Sequence, residues 1–433
     1  MQQFDTIKLS LAYIEKNLKT DIQVQELAQL SGYSVWHYQR LFAQFTGFSV
    51  AAYTAKRRLN CVLSDIINRR KAVDVVLEYG FDTYAGFYKA FRRMYGCSPR
   101  KYLSIYGQQE FNKEILIMFT ETELRKVLKN WNIPQSLPIH DVYIMDGTKV
   151  SNNVWEIGDD YILKTEDHAM LLRNINISKA LSAQGFITAL PFQTKAGKDF
   201  TEGEHIFVLS NKLLGGPLSK SKRFGAERRD FGIKYGENIA RLHNALKVIE
   251  SDIQPYDQDL FSHVVDWALP ETQKQHIQWQ MKLPDDFFKN YMTDFAPLSE
   301  KLPKQLIHRD PNPSNILFSK DNVSGFLDFD ISERNARLWD PCYCATGILS
   351  ECHNVENANE KWMDILSGIL HGYDNINPLT TDEKQSIYHV ICSIQMIFAA
   401  YCEPQSELKE LAKTNREMLE FIVGCKKQID NIF

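Results

Sequence analysis

The chain has 433 residues, enough for about three domains of ordinary size or two large ones. Hydrophobic residues make up 44% and charged residues 24%, which excludes wholesale disorder, a collagen-like repeat and a disulfide-stapled miniprotein. The net charge of −4 hides an asymmetry, because residues 1–106 carry 15 Lys and Arg against 8 Asp and Glu and the remainder is acidic. A basic first quarter on an acidic body points to a nucleic-acid-binding module joined to something else.

The opening MQQFDTIKLS lacks a basic stretch followed by an apolar core, so no secretory signal is expected. The apolar run at residues 390–401 contains Ser393 and Gln395 and is too short to span a bilayer. Eight cysteines are scattered without a C-x-x-C pair, as free thiols of a cytoplasmic protein would be. The expected compartment is the cytoplasm.

In chain order, Phe4, Ile7, Leu11, Ile14 and Leu18 form one stripe of an amphipathic helix. A helix–turn–helix pattern then occurs twice. Val24, Leu27, Ala28 and Leu30 form a support helix, Ser31-Gly32-Tyr33 a turn, and Ser34 caps a second helix with Leu41, Phe42 and Phe45 inward. In the second copy Val73, Val76 and Leu77 precede Tyr79-Gly80-Phe81, and Asp82 caps a helix with Phe87, Phe91 and Met94 inward. Residues 53–67 read as a connecting helix.

A helix fits the major groove of DNA, where outward side chains read base edges. On the first candidate helix these are Trp36, His37, Gln39 and Arg40; on the second, Thr83, Tyr84, Lys89 and Arg92. Arg93 and Arg100 lie where phosphates would be met. These residues carry a resemblance. The runs GYSVWHYQRLFAQFTGFSVAAYTAKRRL and YGFDTYAGFYKAFRRMYGCSPRKYL closely resemble the AraC-type double helix-turn-helix domain over about residues 4–103. Gly80-Phe81, Phe87, Phe91, Gly96 and Pro99 match that family's signature. The resemblance implies two recognition helices in successive major grooves, with Trp36, Gln39 and Arg40 among the base-contacting positions.

Residues 107–114 are polar and mark a linker, after which Thr120 and Glu123 form a capping-box pattern before Leu124, Val127, Leu128 and Trp131. The texture from residue 141 to 211 is strand-like: Val154–Ile157 and Tyr161–Lys164 flank Gly158-Asp159-Asp160, and Phe207–Leu209 follows. From about Lys222 the chain is mainly helical.

One stretch, LIHRDPNPSNILFSKDNVSGFLDFD, is rich in chemistry. Ile316–Phe318 and Gly325–Leu327 read as strands joined at Asp321-Asn322, with Asp310 before the hairpin, Asn315 at its start, and Asp328 and Asp330 at its end. Phosphoryl transfer to a hydroxyl uses one carboxylate on the hydroxyl, plus a carboxamide and a second carboxylate that hold Mg²⁺ on nucleotide phosphates. The stretch resembles the catalytic loop of the aminoglycoside phosphotransferase family of kinase-like enzymes. That resemblance implies Asp310 as catalytic base, Asn315 and Asp328 as magnesium ligands, and His308, Asp330 and Asp340 as structural residues of the loop. SNNVWEI and YILK resemble the family's nucleotide loop and lysine strand, which implies Ser151, Asn152, Asn153 and Lys164 as nucleotide-binding residues. GENIARLHNAL resembles the family's helix ending in Leu-His.

The sequence departs from that pattern in three places. Residues 150–154 contain no glycine, Asn174 stands where the family has a carboxylate partner for the lysine, and Arg309 and Pro311 are not the commonest loop residues. The expected architecture is multidomain: an all-α double helix-turn-helix domain (1–106), a linker (107–119), then an α+β bilobal protein-kinase-like domain with small lobe 120–211 and large lobe 212–433. The expected function is a sequence-specific, DNA-binding transcriptional regulator. Its body takes Mg²⁺, ATP or GTP, and a small hydroxylated ligand that it phosphorylates or senses. The alternatives are a small-molecule kinase with an accessory DNA-binding head, or a catalytically inactive effector sensor. Expected partners are operator DNA and a small molecule, with homodimerisation as one route for coupling and no membrane.

Overall fold

The computed structural model describes residues 2–46, 48–67, 70–95, 98–99, 119, 121–142, 153–166, 168–203, 205–253, 255–352, 355, 357–404 and 408–433. Thr120, Ser151, Asn152, Gly96, Arg100 and residues 107–118 lie outside these, as do the side chains of Phe4, Phe45, Arg93 and Met94. The chain divides into two compact units, residues 1–120 with 403–410 and residues 121–402 with 411–433.

The first unit contains helices Gln2–Lys16, Val24–Leu30, Val35–Thr46, Val50–Ile67, Ala72–Glu78 and Tyr84–Tyr95. The amphipathic stripe of the first helix is buried, with Ile7, Leu11 and Ile14 packed among Leu27, Phe42, Val62, Val76, Phe87 and Phe91. The duplication extends to the turns. Gly32 and Gly80 take φ of +68° and +78°, and the next amides reach back, Tyr33 N–H to Ala28 O at 3.0 Å and Phe81 N–H to Val76 O at 3.2 Å. This is the six-residue helix stop that a left-handed residue allows. Arg57, buried in the connecting helix, grips Glu15 through Nε at 2.6 Å and Nη2 at 2.9 Å, tying the first helix to the fourth.

One expectation for this unit needs correction, the cap of its last helix. Of the residues named for the support helices, Leu27, Ala28 and Val76 are buried, the last beside Val75, while Leu30, Val73 and Leu77 are exposed, at 71%, 50% and 52%. Thr83, not Asp82, caps the last helix, because its hydroxyl accepts the Gly86 N–H at 3.0 Å.

The second unit begins with helix Glu121–Leu128 and a four-stranded antiparallel sheet, in order β1 (Ile139–Asp141), β2 (Val154–Ile157), β3 (Tyr161–Thr165) and β4 (Phe207–Asn211). Helix His168–Ala183 lies between β3 and β4 in sequence. Beyond the sheet come β5 (Gly216–Pro217), the long helix Arg228–Ile253, β6 (Lys304–Ile307), β7 (Ile316–Ser319), β8 (Asn322–Phe326) and β9 (Glu333–Ala336). β7 and β8 form the expected hairpin, but its turn is at Lys320-Asp321, with φ of +49° and +62°, rather than Asp321-Asn322, so that Asn322 already belongs to β8 and the strand ends at Phe326. The pairing of β6 with β9 had no signal in the sequence.

The large core is helical and includes Trp339, Trp362, Ile369, Tyr373, Ile391 and Phe295. Its tightest contact is between helices Arg228–Ile253 and Ala358–Ile376. A Cβ on Gly236 would fall 1.9 Å from Ile369 O, and one on Gly372 would fall 2.2 Å from Ile233 O. Only glycine lets the two backbones approach so closely, and that approach sets His243 against Tyr373. Among the described residues no helix is long and apolar enough to cross a membrane.

Candidate functional site

The loop between β6 and β7 carries the candidate chemistry. Asp310 accepts two N–H groups from Asn315, whose Nδ2 lies 3.0 Å from both Asp310 O and Asp310 Oδ2. The Asn312 amide donates to Asp310 Oδ1 at 2.9 Å. Burial pushes the Asp310 carboxyl above its ordinary range, opposed by the Asn312 hydrogen bond. Because Asn315 turns its amide N–H₂ toward Asp310, its oxygen projects from the other side of the planar group.

A buried brace holds this loop. Asp340, fully buried, accepts the His308 N–H at 2.9 Å and the Arg309 N–H at 3.0 Å. Its Oδ2 also lies 2.7 Å from His243 Nε2, and His243 Nδ1 lies 2.8 Å from the Tyr373 hydroxyl. The His308 ring accepts the Asp310 N–H at Nδ1 (3.3 Å), which leaves Nε2–H to donate to Leu327 O at 2.8 Å. One imidazole thus joins the loop to the segment that ends the hairpin. Arg309 takes φ of +76°, with its guanidinium 3.6 Å from the Trp339 ring centre and its Nε 2.8 Å from Glu333. Trp339 Nε1 donates back to Arg309 O at 3.0 Å.

The second carboxylate group comes from the segment after β8. Asp328 takes φ of +60° and meets Lys164 Nζ at 2.8 Å; Asp330 lies 3.3 Å from the same ammonium. Glu166 is the third carboxylate, at 3.6 Å. Burial alone would depress the Lys164 ammonium, but these three carboxylates push it well above the ordinary lysine value. Helix His168–Ala183 clamps the backbone of this segment: Asn174 Oδ1 accepts the Phe329 N–H at 3.2 Å, and Arg173 donates to Asp330 O at 3.0 Å.

The structure therefore brings together Lys164, Asp328 and Asp330 in one cluster, and Asp310 with Asn315 in another on the loop that His308 ties to Leu327. Asn153 sits at the start of β2 and donates to Glu166 at 2.9 Å. Ser151 and Asn152 lie outside the described residues. Among the described residues no three or more His, Cys, Asp or Glu side chains are arranged to hold a metal ion. The oxygens of Asp328, Asp330 and Asn315 are donors of the kind that Mg²⁺ takes, with phosphate and water completing the shell. Sequence reasoning missed Glu166, Arg173 and Asn312. Glu166 had a signal, since it follows the lysine strand by one residue and extended chain carries residues two apart to the same side.

On the first unit, Trp36 is 68% exposed with the Arg40 guanidinium 5.6 Å from its ring centre, and Gln39 is exposed beside them. His37 is half-buried, its ring 4.8 Å from Tyr33. On the last helix Tyr84, Lys89 and Arg92 are exposed. Thr83 is exposed as well, but its hydroxyl caps the helix.

Comparison with known proteins agrees with this division. Residues 27–105 match a helix-turn-helix domain, and residues 146–376 match a phosphotransferase enzyme family. The HTH-type transcriptional activator AarP of Providencia stuartii is 33% identical over 101 residues, 23% of this chain and 75% of that protein. The right origin-binding protein of Escherichia coli (strain K12) is 32% identical over 103 residues, 24% of this chain and 36% of that protein. The chain thus spans about a third of the length of the right origin-binding proteins it matches. An amicoumacin kinase, hAmiN, solved with AMP-PNP, Ca²⁺ and its ligand, superposes with a TM-score of 0.52 at 16% identity, covering 71% of this chain and 96% of that one. A microcompartment-associated aminopropanol kinase gives 0.50 at 13% identity, covering 72% and 99%. These two likenesses show a shared kinase-like fold. The chain belongs to the phosphotransferase enzyme family, its kinase-like body preceded by an AraC-type helix-turn-helix domain.

Proposed function

We propose that this chain is a DNA-binding transcriptional regulator whose body binds a magnesium–nucleotide complex, ATP or GTP, and transfers the γ-phosphoryl group to a hydroxyl of a small molecule. In this reading residues 1–106 are the reader, 107–119 the linker, 120–211 the small lobe and 212–433 the large lobe. The observation that carries it is a half-buried, N–H-bonded Asp310 together with a separate Lys164–Asp328–Asp330 cluster, whose aspartate segment His308 ties to the Asp310 loop.

Each residue has a distinct task. Asp310 accepts the proton of the acceptor hydroxyl; its raised pKa brings it nearer the working pH of a general base. Asn315 and Asp328 hold Mg²⁺, while Lys164, with Asn153 and the adjoining Ser151 and Asn152, binds nucleotide. Bound Mg²⁺ supplies charge neutralisation on the phosphates. The names of the two structural relatives, an amicoumacin kinase and an aminopropanol kinase, support a small acceptor.

Trp36, His37, Gln39 and Arg40 on one helix, and Thr83, Tyr84, Lys89 and Arg92 on the other, face DNA. The helix-turn-helix relatives, a transcriptional activator and an origin-binding protein, support duplex DNA as the partner. A second reading, an effector sensor without turnover, is favoured by the glycine-free run at 150–154 and by Asn174, whose side chain is used on the Phe329 N–H.

The test is calorimetry of Mg·ATP and Mg·GTP, followed by nucleoside diphosphate release against a panel of hydroxylated amines and antibiotics. Magnesium-dependent binding with release for one acceptor supports the enzyme. Binding without release supports the sensor, and no binding removes the enzyme and leaves a ligand sensor in a kinase shape.

A further inference from the structure

We propose that Glu166 holds Lys164 in position when the site is loaded with nucleotide, replacing a carboxylate that the neighbouring helix does not supply. This rests on the nucleotide reading above and deepens it by one residue. Helix His168–Ala183 reads HAMLLRNINISKALSA and contains no Asp or Glu at all. Two of its side chains that point toward the site are committed to the backbone of the Asp328–Asp330 segment, Asn174 to Phe329 N–H and Arg173 to Asp330 O. No anion for Lys164 can come from this helix.

The end of β3 offers one from nearer by. Lys164 lies in β3 and Glu166 one residue past its end, and the two side chains meet on one side, within 3.6 Å. The Glu166 Oε2 is 3.6 Å from the ammonium and is fixed by the Asn153 amide at 2.9 Å. Asn153 is in turn held by its own carbonyl, which accepts the Thr165 N–H at 2.9 Å. The carboxylate therefore has a defined place rather than a free rotor.

Of the three carboxylates around Lys164, Asp328 is the one assigned above to the divalent cation. Its oxygens cannot serve the cation and the ammonium equally, and a divalent ion nearby repels the lysine. Glu166 then remains, with Asp330, as the counter-charge. The work done by one helix carboxylate in the family's pattern is divided here: Glu166 steadies the lysine, while Asn174 and Arg173 steady the aspartates.

The test is a double-mutant cycle on Mg·ATP affinity, measured on the full chain by competition with a fluorescent nucleotide, which reaches millimolar dissociation constants. Glu166→Gln weakens binding about tenfold in the wild type, the scale of one charge-assisted hydrogen bond. In a Lys164→Met background the same change alters affinity less than about twofold, because its effect runs through the lysine. Glu166→Ala serves as a second variant with the same expected pattern, and unchanged melting curves show that the fold is intact. Equal factors in both backgrounds, or no effect in the wild type, overturn the role of Glu166 and leave the nucleotide reading standing. A wild type that does not bind Mg·ATP or Mg·GTP overturns that reading and this one together.

Discussion

Asp340→Ala tests whether the buried brace, rather than the loop's own conformation, holds Asp310 in place. Asp340 is fully buried and accepts three N–H groups, from His308, Arg309 and His243. Truncation leaves all three donors without that acceptor in a site of low dielectric. Each orphaned buried donor costs about 1–3 kcal/mol, so three together cost roughly 3–9 kcal/mol. Water entering the space left by the carboxylate recovers part of this, so the expected loss is about 4 kcal/mol.

Asp340→Asn separates charge from shape. Its oxygen can keep the two contacts of Oδ2, while its N–H₂ faces the Arg309 N–H donor to donor; about 2 kcal/mol is expected. Urea unfolding followed by tryptophan fluorescence reads both, since Trp339 donates to the same loop at Arg309 O. A loss below about 1 kcal/mol for Asp340→Ala would refute the reasoning, because a loop that keeps its shape without the acceptor does not depend on it.

Asp310→Asn abolishes phosphoryl transfer but spares Mg·nucleotide binding, as turnover and calorimetry would show. In the wild type the raised folded pKa means that Asp310 favours the folded state below its unfolded pKa and costs stability as pH rises through the folded one, a trend that Asp310→Asn removes from Tm measured against pH. For the same reason the acid limb of the pH–rate profile lies above that of an exposed aspartate. Gly236→Ala drives a methyl into Ile369 O and costs roughly 3 kcal/mol or more, read by thermal unfolding. Arg40→Ala relaxes base preference at one operator position, with a cost of about 1–3 kcal/mol in binding assays on substituted sites.

The parts legible in the sequence are those where one local signal suffices. Gly32 and Gly80 each mark a turn because a left-handed residue is needed there, and both copies of the motif follow from them. Asp310, Asn315 and Asp328 stand out as candidates by their spacing about a short hairpin, and the fold sets Asp310 beside Asn315 and Asp328 against Lys164. The second support helix buries Val75 and Val76 and leaves Val73 and Leu77 exposed, a face that two turns carry too few residues to define from sequence. The β6–β9 pair joins residues 304–307 to 333–336 across a whole hairpin, and no local pattern encodes so distant a register. Asn174 was noticed only as a missing charge. Its actual task, accepting a backbone N–H 155 residues away, depends on how the segment after β8 folds back.

The brace also explains why two ordinary residues can occupy a backbone region that favours glycine. Arg309 at φ +76° and Asp328 at φ +60° each bear a cost of about 1–2 kcal/mol, and such conformations persist only where the surroundings over-determine them. Glycine would remove that cost at either position but would also remove the side chain. At Arg309 the guanidinium against Trp339 and Glu333 would be lost, and at Asp328 the carboxylate that meets Lys164. The over-determination is visible on both flanks. Asp340 takes the Arg309 N–H while Trp339 takes its carbonyl. His308 takes Leu327 O and Asn174 takes the Phe329 N–H, so the peptide groups on either side of Asp328 are held. Strain at two residues is thus balanced by buried polar contacts at four others, which confines the two candidate catalytic carboxylates to one geometry. A site that only bound a ligand would have less use for that constraint than one that must place a base against a reacting hydroxyl, where small displacements cost rate steeply.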